Sequence, residues 1–304
     1  DLHREGIPVV LLTGASLATR GYANLGLRPM GDLDLLFDRQ DIAAAGRVLQ
    51  QHGLTAVVME DEANPETLSI YAQPFAGQDS PVMVELHWNL FGRETHRFEP
   101  DLAWFRSNTE PFQPPQEVQE PLEGARIPSD SLNFIYLCAH AVLKHRGTVE
   151  HLLWYVDLMR LAHRGNLDWD WMAEAASQMH WTAALAECLQ VLRKDFGLML
   201  PDGYLERISR GIDARDAAYL EQRAALDRNW KKTAITLQPL PWKDRLRYIW
   251  GAVFPDPAYM RWRYQPSPAW SWPLMYPYRW VRGFLKLVFN APDTPPPSAR
   301  RDQP

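Results

Sequence analysis

The sequence predicts an α+β protein: a mixed sheet with helices in its first hundred or so residues, then an all-helical region. Three observations carry this expectation. Short apolar runs alternate with helix-period segments over residues 1–110, as in α/β and α+β units. Residues 111–128 are rich in Pro, Gln and Glu and read as a linker. Beyond them, apolar residues recur at helical spacing as far as about residue 236.

The elements follow in order. "IPVVLLTG" (7–14) is a β-branched run ending at a glycine, a buried strand. "ASLATRGYAN" (15–24) is a helix that begins at that glycine turn, and "MGDLDLLF" (30–37) is a second strand. In "DRQDIAAAGRVLQQHG" (38–53), Asp38 or Asp41 is the expected N-cap and Gly53 the stop of a helix. "LTAVVME" (54–60), "TLSIYAQPF" (67–75) and "VMVELHWNLF" (82–91) are three further strands, separated by the polar turns "DEANPE" and "AGQDSP". Residues 129–236 form a helical domain, with Ser129 or Ser131, Asp168 and Asp213 as caps. Residues 237–290 make a Trp- and Arg-rich C-terminal segment packing on it, ending in the amphipathic "YRWVRGFLKLVFN". Residues 291–304 form a disordered tail. No internal repeat is visible.

The 304 residues are 46% hydrophobic with a net charge of −5, enough for a sizeable core. No window approaches the roughly 18 apolar residues of a membrane span. No signal peptide is visible, and the start at Asp1 without Met leads us to expect upstream residues. Cys138 and Cys188 have no metal-type spacing and read as reduced core residues, which fits a cytoplasmic location. Charge is unevenly spread. Residues 1–100 hold 7 Arg, no Lys and 14 Asp or Glu, whereas residues 243–301 hold 10 Lys or Arg against 3 Asp.

The chemistry concentrates in "GDLDLLF" (31–37). On a strand, residues i and i+2 share a face, so Asp32 and Asp34 project side by side. Two carboxylates this close repel unless a cation neutralises them. Mg²⁺ takes carboxylate oxygens and keeps positions open for phosphate. The alternative is a strand edge whose aspartates face water. Two further features bear on the choice. "LLTGAS" runs from a strand into a helix start, where Gly14 permits close backbone approach, free N–H groups face a phosphate, and Ser16 adds a hydroxyl. In "VMVELHW", Glu85 interrupts an apolar strand much as Asp32 and Asp34 interrupt theirs. A third carboxylate on a neighbouring strand completes a site for one or two metal ions.

Glycine and a small residue after a strand, Asp-x-Asp on the next strand and a later strand carboxylate together resemble the nucleotidyltransferase superfamily related to DNA polymerase beta. "GIPVVLLTGASLATRGYANLGLRPMGDLDLLF", "VELHW" and "AHAVLKHRG…LLWYVDLMRLA" are more closely similar to the bacterial uncharacterised nucleotidyltransferase family, from about Gly6 to about Gly165. The Arg-Pro-Met-Gly-Asp-Leu-Asp stretch is the most specific part. The resemblance implies that Asp32, Asp34 and Glu85 are catalytic metal ligands for Mg²⁺, with Glu85 also able to orient or deprotonate an acceptor hydroxyl. It implies that Gly14 and Ser16 belong to the turn that holds a triphosphate and that Arg28 meets phosphate charge. Family members often carry Lys where this chain has Thr13, so Arg20 or Arg28 is expected to compensate. With no Lys before Lys144, every cation near the triphosphate is expected to be Arg or metal.

The implied function is transfer of a nucleotidyl group from an NTP to an acceptor, a small molecule or protein, in a cleft between the two domains. Nucleic acid is disfavoured by the acidic balance. The competing reading is a catalytically silent nucleotide-binding or protein-interaction module, which Thr13 keeps open. His87 lies on the face of Glu85 and reads either as a site residue or as a hydrogen-bonded core histidine. His140, His145 and His151 have poor one-face spacing and read as packing. Asp157 interrupts an apolar stripe and reads as half of an ion pair or as a cleft residue. The aromatic segment is expected to bury its tryptophans and leave arginines in water, with partner binding or peripheral membrane contact as alternatives.

Overall fold

The computed structural model describes residues 1–57, 71–77, 83–92, 98–113, 124–145, 152–224, 242–255, 257–264 and 268–289. The sheet and the helices up to Glu221 belong to one compact unit, and the helices from Trp242 to Phe289 to a second. The "DEANPE" turn, His151 and the expected tail at 291–304 lie outside the described residues, as does most of the "AGQDSP" turn.

The first unit is built on a seven-stranded mixed sheet in the order β3-β4-β5-β2-β1-β7-β6. Its strands are β1 (Val9–Leu11), β2 (Asp32–Leu36), β3 (Leu54–Ala56), β4 (Ala72–Gly77), β5 (Met83–His87), β6 (Thr109–Pro111) and β7 (Ala125–Pro128). β1 pairs with β7, and β2 with β5, in parallel, and the other neighbours are antiparallel. α1 (Thr13–Gly21) follows β1, α2 (Ile42–Gln51) follows β2 and α3 (Leu102–Ser107) precedes β6. Then come α4 (Asp130–Ala139), a π-helical turn (His140–Lys144), α5 (Leu152–His163), α6 (Trp169–Gln178), α7 (Thr182–Asp195), α8 (Tyr204–Arg210) and α9 (Ala214–Ala224).

Alternation along the strands gives each face of the sheet its own core. Leu35, Phe37 and Leu86 point to one face and pack with Ala45 and Val48 of α2 and with Phe75 of β4. Val10, Leu12 and Leu36 point to the other, where the helices after β7 build a larger core around Trp181, Tyr136, Phe134 and Leu185. Cys138 and Cys188 are free and buried in that core.

Two expectations change here. The ends of the supposed linker are not linker: Thr109–Pro111 and Ala125–Pro128 are hydrogen-bonded strands at the sheet's edge. The sheet and the helices after it, as far as Glu221, belong to one compact unit. Neither Asp38 nor Asp41 caps a helix through its side chain. Asp38 instead pairs with Arg106 at 3.3 Å. Ser129, Asp168 and Asp213 do accept bonds from the backbone N–H groups of Leu132, Trp171 and Arg215.

The second unit holds helices Trp242–Val253, Pro257–Tyr264 and Met275–Phe289. Phe254 lies 5.5 Å, centroid to centroid, from Trp280 and 6.4 Å from Tyr276. The Trp280 indole donates to the Val253 carbonyl at 2.8 Å. Against the expected burial of the tryptophans, Trp242, Trp250, Trp270 and Trp280 are exposed, while Trp272 is half-buried.

Candidate active site

The parallel register of β2 and β5 sets Asp34 directly opposite Glu85 and Leu36 opposite His87. Asp32, Asp34, Glu85 and His87 therefore stand on one face of two adjacent strands. Ligand atoms of Asp34, Glu85 and His87 all lie within 4.8 Å of one another. His87 Nε2 is 2.9 Å from Asp34 Oδ1 and 3.2 Å from Glu85 Oε2. The other oxygen of Asp34 accepts the Thr13 hydroxyl. Of the expected metal ligands, Asp34 and Glu85 come together, and Asp32 stands beside them, exposed at the start of the strand.

The two aspartates differ in charge environment. Burial pushes the Asp34 carboxyl up, but the His87 and Thr13 hydrogen bonds and the His87 charge outweigh it and hold the group far below its ordinary value. Partial burial and the charges of Asp34 and Glu85 push Asp32 up. Burial opposes a charged His87, yet its bonds to Asp34 and Glu85 raise it. Asp32 is thus the carboxylate with least compensation.

Two residues of the site escape a reading of the sequence. Thr13, which stands where the resembled family often has Lys, adopts φ 34, a left-handed conformation that is costly for a β-branched residue. That conformation accompanies a hydroxyl delivered onto Asp34. Lys144 is the other. The π-helical turn ends at this residue, and its ammonium lies over the Tyr71 ring, 5.1 Å from the centroid. Tyr71 in turn contacts the His87 ring at 5.5 Å. Burial would lower the Lys144 pKa, but Tyr71, Asp34 and Glu85 together raise it. Among the described residues, a lysine from the helical half thus acts electrostatically on the carboxylates, where arginine was expected. A π turn inside a helix is often found at functional sites.

The residues expected to cradle phosphate go elsewhere. Arg28 is buried in a bidentate ion pair with Asp157, with contacts of 3.2, 3.2 and 2.8 Å, and the Tyr22 hydroxyl joins it at 2.7 Å. This supplies the ion-pair reading of Asp157 and removes Arg28 from the acidic cluster. Arg20 pairs with Asp130 at 2.9 Å and with Glu110. Ser16 is fully buried, donating to the Thr13 carbonyl at 2.9 Å and accepting from Asn133 at 3.0 Å. Gly14 is needed for close approach, but to side chains: a Cβ there would stand 2.6 Å from Arg28 Nη1 and 3.1 Å from Met30 Sδ. Gly14, Ser16 and Arg28 thus fix the loop and the first turn of α1 beneath Thr13. His140 and His145 make tilted or edge-on ring contacts with each other and with Trp154.

Acidic side chains thus stand on adjacent parallel strands of a mixed sheet, with a helix starting just after the neighbouring strand. Residues 1–197 match the family described as "Uncharacterised nucleotidyltransferase". The chain belongs to that family and is an enzyme of the nucleotidyltransferase class. No curated protein matches it. One solved structure is similar, the solution structure of the antibiotic-resistance factor ANT(2'')-Ia, with 12% identity and a TM-score of 0.33. The match covers 74% of this chain and 89% of that one. At that distance the assignment rests on the family alone.

Proposed function

We propose that the chain transfers a nucleotidyl group from an NTP to an acceptor hydroxyl, with release of pyrophosphate, in a Mg²⁺-dependent reaction. The observation that carries this reading is the pairing of Asp34 with Glu85 across β2 and β5, with Asp32 on the same face. Three carboxylates in that arrangement offer an all-oxygen donor set suited to a hard divalent ion. Held by Asp32, Asp34 and Glu85, such an ion would neutralise charge at the phosphorus under attack. His87 and Thr13 hold Asp34 in one orientation, so its free lone pairs need no rearrangement before binding. The Lys144 ammonium binds the phosphate oxygens from the helical side, the task Arg28 cannot perform while it is tied to Asp157. Glu85, less buried than Asp34, accepts the proton of the acceptor hydroxyl as its oxygen bonds to the α-phosphorus and the bridge to the β-phosphate breaks.

Calorimetric titration of the chain with non-hydrolysable NTP analogues, with and without Mg²⁺, tests the site directly. Binding should require the metal and disappear in Asp34→Asn. Pyrophosphate release should then follow with hydrolysable NTP and a pool of candidate hydroxyl acceptors. Equal binding without metal, or by Asp34→Asn, would sink the metal site. Tight binding with no pyrophosphate release in any acceptor pool would instead mark the silent nucleotide-binding module.

A further inference from the structure

The second unit leaves outside the kind of surface that a globular unit buries. In helix Trp242–Val253, Trp242 is 66% exposed, Leu246 58%, Ile249 45% and Trp250 65%. These positions are i, i+4, i+7 and i+8, a single stripe roughly 100° wide. In helix Met275–Phe289, Tyr278, Val281 and Leu285 are 50%, 60% and 42% exposed and form a second stripe. Within the unit Phe254 and Trp280 pack edge to face while each stays 42% exposed, and Tyr276 donates to the Pro255 carbonyl at 2.5 Å. The stripes lie apart from those contacts.

Charge and residue type say what covers them. Residues 242–289 carry eight Lys or Arg and two Asp, in a chain whose net charge is −5. Lys243 and Arg245, both exposed, fall on the two margins of the first stripe. We infer that this unit docks on the surface of an anionic lipid bilayer. An aliphatic and aromatic stripe bordered by cations is the composition of an interfacial helix: the apolar face enters the headgroup–acyl boundary, Trp and Tyr sit at headgroup level, and the cations meet anionic lipid. Nucleic acid would use the aromatic faces for stacking but has no use for Leu246, Ile249, Val281 and Leu285. Docking differs from spanning, and no described helix is long and apolar enough to cross a membrane. The inference is independent of the proposed reaction.

Flotation of the full chain with vesicles tests it. Vesicles of equimolar phosphatidylcholine and phosphatidylglycerol should carry the protein, with partition roughly tenfold or more above that on phosphatidylcholine alone, and added salt should weaken it. The double variant Leu246→Glu, Val281→Glu should lose that partition while keeping its circular dichroism and its Mg²⁺-dependent NTP binding, because both side chains point into solvent. No flotation of the parent chain on the anionic vesicles overturns the inference, and so does flotation that survives the two glutamates. A parent chain that is dimeric, and becomes monomeric in the double variant without ever floating, would assign the face to a second copy of the chain instead.

Discussion

Two tryptophan-bearing regions of this chain treat the same side chain in opposite ways. In the first unit Trp181 is wholly buried, in edge contact with Phe91 at 5.9 Å, and its indole donates to the Phe98 carbonyl at 2.8 Å. In the second unit Trp242, Trp250 and Trp270 are 66%, 65% and 74% exposed. The first region spends its apolar side chains on a core that holds a few charges in register. The second uses its aromatics as outward surface between cations. Composition alone does not separate the two uses. What separates them is the partner: Trp181 sits in a core with Phe91 and Tyr136, whereas Trp242 and Trp250 share an exposed stripe with Leu246 and Ile249 that Lys243 and Arg245 border.

Four tests would sharpen or break that contrast. The largest effect is expected on catalysis, where Asp32→Ala and Asp34→Ala should each abolish pyrophosphate release. They should part on stability: Asp32→Ala keeps or raises the melting temperature, because it removes a carboxylate beside Asp34 and Glu85. Asp34→Ala lowers stability by about 1–3 kcal/mol, because the buried His87 loses a partner. If both variants lose stability alike, the pair is structural. Next, Trp181→Ala should cost about 3–5 kcal/mol in chemical denaturation, and Trp270→Ala within about 0.5 kcal/mol. Similar costs for the two would erase the distinction between the regions.

Breaking the buried pair by Arg28→Met should destabilise the first unit by roughly 3–5 kcal/mol, since Asp157 stays buried with only Tyr22 as partner. The variant should still require Mg²⁺ for NTP binding. Loss of nucleotide affinity at unchanged stability would return Arg28 to the phosphate. The smallest effect is a titration. Burial pushes the Glu99 carboxyl up from 4.5 to about 7, against the bonds it accepts from the Leu90 and Phe91 N–H groups. The folded chain then keeps a proton that the unfolded chain has released, so this group's contribution to stability falls as pH rises from about 4.5 to about 7. Melting curves across that range should show a decline of at most about 3 kcal/mol that Glu99→Gln removes.

What could be read in advance followed the physics of local pattern. β1, β2 and β5 were visible because β-branched and alternating apolar runs have a period that the sheet imposes, and Asp32, Asp34 and Glu85 stood out as charges that break it. β6 and β7 were not visible: three and four residues long and ending in proline, they have no run to recognise, and they are strands only because they add to the edge beyond β1. Arg28 is hard to place for a related reason. The resemblance implies a phosphate contact, whereas its ion-pair partner is Asp157, 129 residues away, and no local rule couples them. Thr13 looked like a missing lysine until its hydroxyl was found on Asp34. Lys144 was hidden by the π turn, which breaks the helical spacing by which a sequence assigns a face.

The parallel pairing of β2 with β5 also fixes when the site can exist. Asp32 and Asp34 are neighbours in any strand-like state of the chain, including one barely begun. Glu85 joins them only when a segment some fifty residues later has crossed over and docked in register. Lys144 arrives later still along the chain, with the turn that closes α4. A nascent or partly folded chain therefore carries two of the acids but neither the third nor the lysine. In the proposed reaction, metal-dependent nucleotide binding would therefore report completed folding.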